Sequence, residues 1–129
     1  MFTRKIFSFE KLEAWKNAKS IAMKVFEITA KYPDSHFSPM ANQMRRSSIS
    51  ISSNIAEGQG RFEGKEQSQF YKFAYSSLME LLNQLIISYE LNMITIEDYD
   101  EIRNLIDKTS LQLNGLNRYT RTKIPQKKS

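Results

Sequence analysis

The sequence contains no cysteine, which excludes disulfide bonds, zinc–thiolate sites, iron–sulfur clusters and thiol nucleophiles. Its 129 residues include only four glycines and three prolines, and this scarcity argues against an all-β fold with many tight turns. The one histidine, His36, has no second histidine or cysteine with which to hold a metal. No nucleophile motif surrounds it. We therefore expect no metal, no cofactor and no enzymatic activity.

Long hydrophobic runs are also missing. No stretch approaches the roughly 18 consecutive apolar residues that cross a bilayer. The basic residues near the N-terminus, Arg4 and Lys5, are not followed by the apolar core of a signal peptide. Together with the lack of cysteine, these features predict a cytoplasmic protein without a membrane partner.

Helical periodicity is the dominant pattern that is present. In four segments apolar residues recur at spacings of three and four, which places them along one side of a helix. The segments cover about residues 9–32, 39–58, 63–92 and 96–119. Ser38 before Pro39, and Thr95 three residues before Asp98, are typical helix starts. Because short connections force neighbouring helices to run antiparallel, we predict an all-α, up-down-up-down four-helix bundle.

The second helix contains an ambiguous run, residues 47–53, in which serine and isoleucine alternate as they would in a β-strand. We interpret the run as helix, because both flanks are helical and a lone strand would have no partner. In a helix Ile49 and Ile51 lie about 200° apart, so one of them must leave the bundle core. The outer face with Ile49 and Ser53 is then a candidate subunit interface. The alternative is a single exposed isoleucine, which is common.

A polar stripe follows the same helix into its exit turn. Its members recur at spacings of four, four, three and four: Arg46, Ser50, Asn54, Glu57 and Arg61. One interpretation is a binding groove for an anion or a base. The other, which we favour because buried polar groups need partners, is a structural network. In that network Glu57 pairs with Arg46 or Arg61, and Asn54 bridges two helices.

The net charge of +5 has its origin at the C-terminus. No acidic residue follows Lys108, whereas five basic residues do: Arg118, Arg121, Lys123, Lys127 and Lys128. We therefore divide the chain into an N-terminal extension (1–8), the bundle (9–117) and a basic, flexible tail (118–129). Such cations bind phosphates without sequence preference. Tyr119 between two arginines is typical of single-strand nucleic-acid binders; the alternative is an ordinary solubilising tail.

One stretch of the second helix resembles a known family. The segment 43–61, and within it Ser-Asn-Ile-Ala-Glu-Gly at 53–58, is similar to the signature of the bacterial four-helix bundle proteins encoded in intervening sequences of 23S rRNA genes. These were formerly labelled S23 ribosomal proteins. Residues 12–16, 32–33 and 73–81 match the same pattern, and the likeness covers about 9–117. Residues 34–36 and Ser47-Ser48 depart from it mildly.

The resemblance implies a homopentamer related to the accessory variability proteins of diversity-generating retroelements, which bind nucleic acid and a reverse transcriptase. With the basic tail, it leads us to predict a non-enzymatic, oligomeric accessory protein that binds nucleic acid, with RNA as the expected ligand. The candidate contacts are the five tail cations, followed by Arg46 and Arg61. The alternative is a protein–protein interaction scaffold, for a polymerase or reverse transcriptase, without direct nucleic-acid binding.

Overall fold

The computed structural model describes residues 3–34 and 38–125, and within these ranges it contains four long α-helices and no strand. After a short 3-10 helix at Ser8–Lys11, the helices are α1 (Glu13–Thr29), α2 (Pro39–Gln59), α3 (Gly64–Glu90) and α4 (Ile96–Arg121). Each helix packs against the next in the chain, and α4 packs back on α1. The predicted all-α four-helix bundle is confirmed. His36, Lys127 and Lys128 lie outside the described residues.

Both predicted helix starts carry a side-chain cap. The Ser38 hydroxyl accepts a hydrogen bond from the Ala41 backbone N–H at 3.2 Å, and Pro39 occupies the first helical position of α2. The Thr95 hydroxyl likewise accepts from the Asp98 N–H at 3.2 Å. Each cap satisfies a donor that the first turn of a helix leaves unpaired, which fixes where α2 and α4 begin.

The first helix is shorter than its periodicity predicts. Leu12 is extended (φ −74°, ψ 128°), so the 3-10 helix and α1 are separate elements. The Phe9 ring nevertheless packs edge-on against Trp15, with 5.1 Å between ring centroids. At the other end α1 stops at Thr29, although Tyr32 is buried three residues later. The apolar pattern over 9–32 therefore reports burial, which continues beyond both ends of the helix.

The last helix is longer than predicted. It continues to Arg121, so the boundary that we placed at residue 118 falls inside α4. Thr120 is buried, and its carbonyl oxygen lies only 3.3 Å from where a Cβ on Gly64 would stand. The end of α4 is thus packed against the start of α3. Arg118 and Arg121 occupy its last turn, where cations oppose the negative end of the helix dipole.

The core lies between the four helices and confirms the helical interpretation of the serine-isoleucine run. Ile51 is completely buried, whereas Ile49 is 47% exposed on the outer face of α2. The largest fully buried side chains are Tyr71, Ile21, Ile28, Met44, Ile51, Ile55, Leu78, Leu81, Leu85, Ile102, Ile106 and Leu113. All four helices contribute to this set, so the bundle has one continuous core.

Candidate nucleic-acid interface

The turn between α2 and α3, the end of α4 and the N-terminal 3-10 helix meet at one end of the bundle. A Cβ on Gly64 would lie 3.5 Å from the Cβ of Lys123, which places the start of α3 beside the residues that follow α4. The side-chain amide of Gln59, at the end of α2, donates to the Ser8 hydroxyl at 3.4 Å. Folding therefore brings three segments that are far apart in the sequence to one surface.

The charge of the molecule is separated along the bundle axis. We define the basic half as residues 3–20, 50–77 and 109–125, which includes this end, and the acidic half as 21–34, 38–49 and 78–108. The basic half holds eleven basic and five acidic residues, a net +6, and the acidic half holds six and nine, a net −3. Summed fields of this kind attract anions to one end and repel them from the other.

Three of the five predicted tail cations lie exposed in the basic half. Arg118 and Arg121 are in the last turn of α4, and Lys123 follows it. The Lys123 ammonium lies 4.4 Å from the centroid of the Tyr119 ring. Within residues 3–34 and 38–125, no carboxylate forms an ion pair with any of the three cations. They are thus available to an external anion.

The middle of the predicted polar stripe is a structural network. The Ser50 hydroxyl lies 2.8 Å from that of Ser77 on α3, and the Asn54 amide donates to the Ser50 carbonyl at 2.8 Å and to its hydroxyl at 3.1 Å. The prediction that Asn54 makes the bridge between helices is wrong in this respect, because the bridging hydroxyl is that of Ser50. Two small serines allow α2 and α3 to approach closely, and the longer Asn54 turns back onto its own helix.

The two ends of the stripe are far apart. Glu57 pairs with Arg61 at 3.8 Å, one of the two predicted pairings, but both side chains are largely exposed and such pairs are weak. The Arg61 guanidinium also lies 4.6 Å from the centroid of the Phe70 ring. Arg46 is exposed in the acidic half, about 20 Å along the helix axis from the end of α2. The stripe therefore does not form one continuous groove.

One residue of this surface was missed by the sequence reasoning. Phe62 lies in the turn between Gly60 and Gly64, which the pattern explains fully as a helix stop and restart. Its accessible surface equals that of an unfolded reference peptide, at 102%. An aromatic residue directly after Arg61 in a glycine-bounded turn was the available signal. Periodicity does not register it, because the residue belongs to no helix.

The remaining titratable groups with shifted pKa values are structural. Burial raises the pKa of the Tyr71 phenol to about 12, and burial also raises the pKa of Tyr32. The hydrogen bond to Glu101, at 2.9 Å, raises the pKa of Lys24 on the surface between α1 and α4.

Among the described residues no group of three or more histidine, cysteine, aspartate or glutamate side chains is placed to hold a metal. None of the described helices combines the length and apolarity needed to cross a membrane.

Comparison with known proteins gives a family and a structural neighbour. A family described as "23S rRNA-intervening sequence protein" matches residues 10–115. Among solved structures, the chain is similar to a protein of unknown function from the S23 ribosomal protein family of Bacteroides thetaiotaomicron VPI-5482. The two are 19% identical with a TM-score of 0.73, over 81% of this chain and 97% of the other, which shows a shared fold. A search of curated proteins gives no significant match.

Proposed function

Because the chain belongs to the 23S rRNA-intervening sequence protein family, as the motif at residues 53–58 predicted, we propose that it is a non-enzymatic, oligomeric accessory protein that binds nucleic acid, with RNA as the expected ligand. The observation that carries this proposal is the charge separation, with a net +6 in the basic half against −3 in the acidic half. A polyanion is attracted to such an end and oriented by the field before contact. We place the protein in the cytoplasm, where RNA is present.

The contacts that we propose are ionic and directed at phosphates. Arg118, Arg121 and Lys123 are exposed without carboxylate partners in the described chain, so binding a phosphate would break no existing ion pair. Arg61 is a weaker contact because it is shared with Glu57 and Phe70. Arg46 is weaker still, since it lies in the acidic half. Lys127 and Lys128, beyond the described residues, extend the same run of positive charge.

The assembly that we propose is a homopentamer built through the outer face of α2. Ile49 and Ser53 are exposed on that face, and small side chains such as serine allow another helix to approach closely. A second copy of the chain would remove the Ile49 side chain from water. Multiple copies would also present several basic ends to one strand, which raises the total affinity without any new type of contact.

Direct binding measurements at two salt concentrations test the proposal. We expect a 20-nucleotide RNA to bind at 50 mM salt and to lose affinity at 200 mM, with a log–log slope of roughly −2 to −3 if three phosphates are contacted. The double variant Arg118→Gln/Arg121→Gln should make the slope shallower by about one to two units. The matched control Lys31→Gln/Lys108→Gln removes two cations from the acidic half and should leave the slope unchanged. Absence of RNA binding at 50 mM salt would refute the proposal.

A protein–protein scaffold is the second candidate function. It is favoured by a shallow groove of about 500 Å³ between α2 and α3, which Met40 and Ile87 line with apolar surface. Such a scaffold would bind a protein partner, for example a polymerase, through an apolar surface and not through phosphates. Its partner affinity should then be insensitive to the loss of Arg118 and Arg121.

A further inference from the structure

The Phe62 ring is exposed, but the backbone that carries it is hydrogen-bonded on both sides. The Arg61 N–H donates to the Gly58 carbonyl at 3.2 Å, and the Gln67 side-chain amide donates to the Arg61 carbonyl at 2.8 Å. Directly after Phe62 in the chain, the Glu63 carbonyl accepts a hydrogen bond from the Gln67 backbone N–H at 3.0 Å. The backbone is therefore tied down directly before and after Phe62. A single exposed apolar residue is common, but this one is presented on an anchored turn.

Two grooves border the ring. The first, of about 470 Å³, is lined by Lys65 and Lys123, and the second, of about 250 Å³, by Arg61 and Glu66. Phe62 and Glu63 line both, so the ring stands between the grooves and a planar group can approach it from either side. Glu63 brings its carboxylate to both grooves, so the second groove, with Arg61 against Glu63 and Glu66, has a net charge of −1, and the first, with two lysines against Glu63, has a net charge of +1. The first groove, with two lysines, is the side on which a phosphate is favoured.

We infer that Phe62 is a stacking surface for an unpaired nucleotide base, that Lys65 and Lys123 bind the adjoining phosphate, and that the basic half therefore takes single-stranded RNA in preference to duplex. This inference rests on the proposed function and adds the class of ligand. A base that is stacked within a duplex offers no free face to a protein ring, whereas an unpaired base does. The energy of such stacking depends little on base identity, because every base has a π-face.

Tyr119 is a second, partly occupied surface of the same kind. It is 61% exposed, but the Lys123 ammonium already covers one face of its ring at 4.4 Å. A base can reach the other face. The distinguishing residue of the site is therefore Phe62, whose ring is covered by no cation among residues 3–34 and 38–125.

The test compares two probes on the full chain: a 12-nucleotide oligouridine and a 12-base-pair RNA duplex. We expect Phe62→Ala to weaken binding of the oligouridine by roughly tenfold or more, since loss of one stacking contact has about this effect. Duplex binding should change less than about twofold. Phe62→Trp should restore binding of the single strand, and Leu91→Ala, which truncates an exposed apolar side chain in the acidic half, should affect neither probe.

The possible outcomes separate this inference from the proposed function. If the wild-type chain binds neither probe at 50 mM salt, the proposed function itself fails. If the wild type binds but Phe62→Ala binds the oligouridine equally well, or weakens both probes alike, only the stacking role of Phe62 is overturned. A changed molecular mass of Phe62→Ala in solution would also overturn it, since the ring would then be a contact between subunits.

Discussion

Tyr71 and Phe62 lie only nine positions apart in the sequence but have opposite surroundings. The Tyr71 ring is buried in the core, and its hydroxyl donates to the Gln59 side-chain oxygen at 3.0 Å. Phe62 is fully exposed on the turn that separates the two helices. Residue type alone predicts burial for both. Whether the side chain is buried depends on its position: Tyr71 lies on the inner face of a helix, and Phe62 lies in a turn outside all four helices.

The burial of Tyr71 predicts a loss of stability at alkaline pH. Its pKa in the folded protein, about 12, lies above the value of about 10 that an unfolded chain gives. The stabilising effect is therefore complete below pH 10 and is lost as the pH rises from 10 to 12, by up to about 3 kcal/mol. In Tyr71→Phe the free energy of unfolding should fall less steeply over this range, with the remaining slope due partly to Tyr32. Urea titrations at several pH values measure this, and identical slopes in the two proteins would contradict it.

At the scale of single elements, close packing decides what each helix tolerates. Gly58 in α2 faces the Tyr71 ring so closely that an added Cβ would lie 2.7 Å from its Cε1 atom and 3.1 Å from the Phe70 Cβ. Gly115 in α4 has no atom of the described residues within 4 Å of the same position. Alanine is a better helix former than glycine at both positions. The two glycines therefore make a matched pair in which the propensity gain is the same and only the packing differs.

Alanine substitution should therefore have opposite effects at these two sites. Gly115→Ala should stabilise the protein by about 0.5–1 kcal/mol through helix propensity. Gly58→Ala should destabilise it by about 1–3 kcal/mol, because the Tyr71 ring has to move. Chemical denaturation measures both changes as shifts of the transition midpoint at an unchanged dependence of the unfolding free energy on denaturant. A stabilised Gly58→Ala would show that the α2–α3 contact is looser than described.

The helices themselves could be predicted from the sequence, since caps such as Ser38 and Thr95 and the spacing of apolar residues act locally. The boundaries of α1 and α4 could not, because Phe9 is half-buried in the separate 3-10 helix, Tyr32 is buried after α1 has ended, and Thr120 is buried where the end of α4 meets the start of α3. The bridging role of Ser50 also depends on which residue of α3 stands opposite. The two boundary errors share one cause: periodicity reports which residues are buried, and burial extends beyond regular structure.

At the scale of the whole molecule, the main unforeseen feature is the charge separation. The sequence shows the surplus of cations after Lys108, but it does not show that Arg61 and Lys65 join them or that the acidic start of α4 lies at the opposite end. Both facts follow from the up-down order of the helices, which brings the end of α2, the start of α3 and the end of α4 to one end of the bundle and the start of α4 to the other. The cations of the tail could be predicted, whereas the roles of Lys65, Phe62 and the two grooves depend on three segments meeting in space.

The proposed assembly predicts that the outer face of α2 is sensitive to charge. Ile49→Glu should convert the oligomer to a smaller species, because a carboxylate buried in an interface has no partner. Its helix content should remain unchanged, since Ile49 contributes little to the core. Leu111→Glu, at an exposed apolar position on α4, is the control and should leave the mass unaltered. Light scattering gives the masses, and a monomeric wild-type protein would contradict the assembly.

The central claim, that nucleic acid binds at the basic half, is tested most directly by ultraviolet cross-linking of the wild-type protein to uridine-containing single-stranded RNA, followed by mass spectrometry of the cross-linked peptides. Both halves carry aromatic residues that can report contact: Phe62 and Tyr119 in the basic half, Tyr89 and Tyr99 in the acidic half. The account predicts cross-links at Phe62, Tyr119 or their neighbours, and a loss of these at high salt. Cross-links concentrated at Tyr89 and Tyr99 would contradict it.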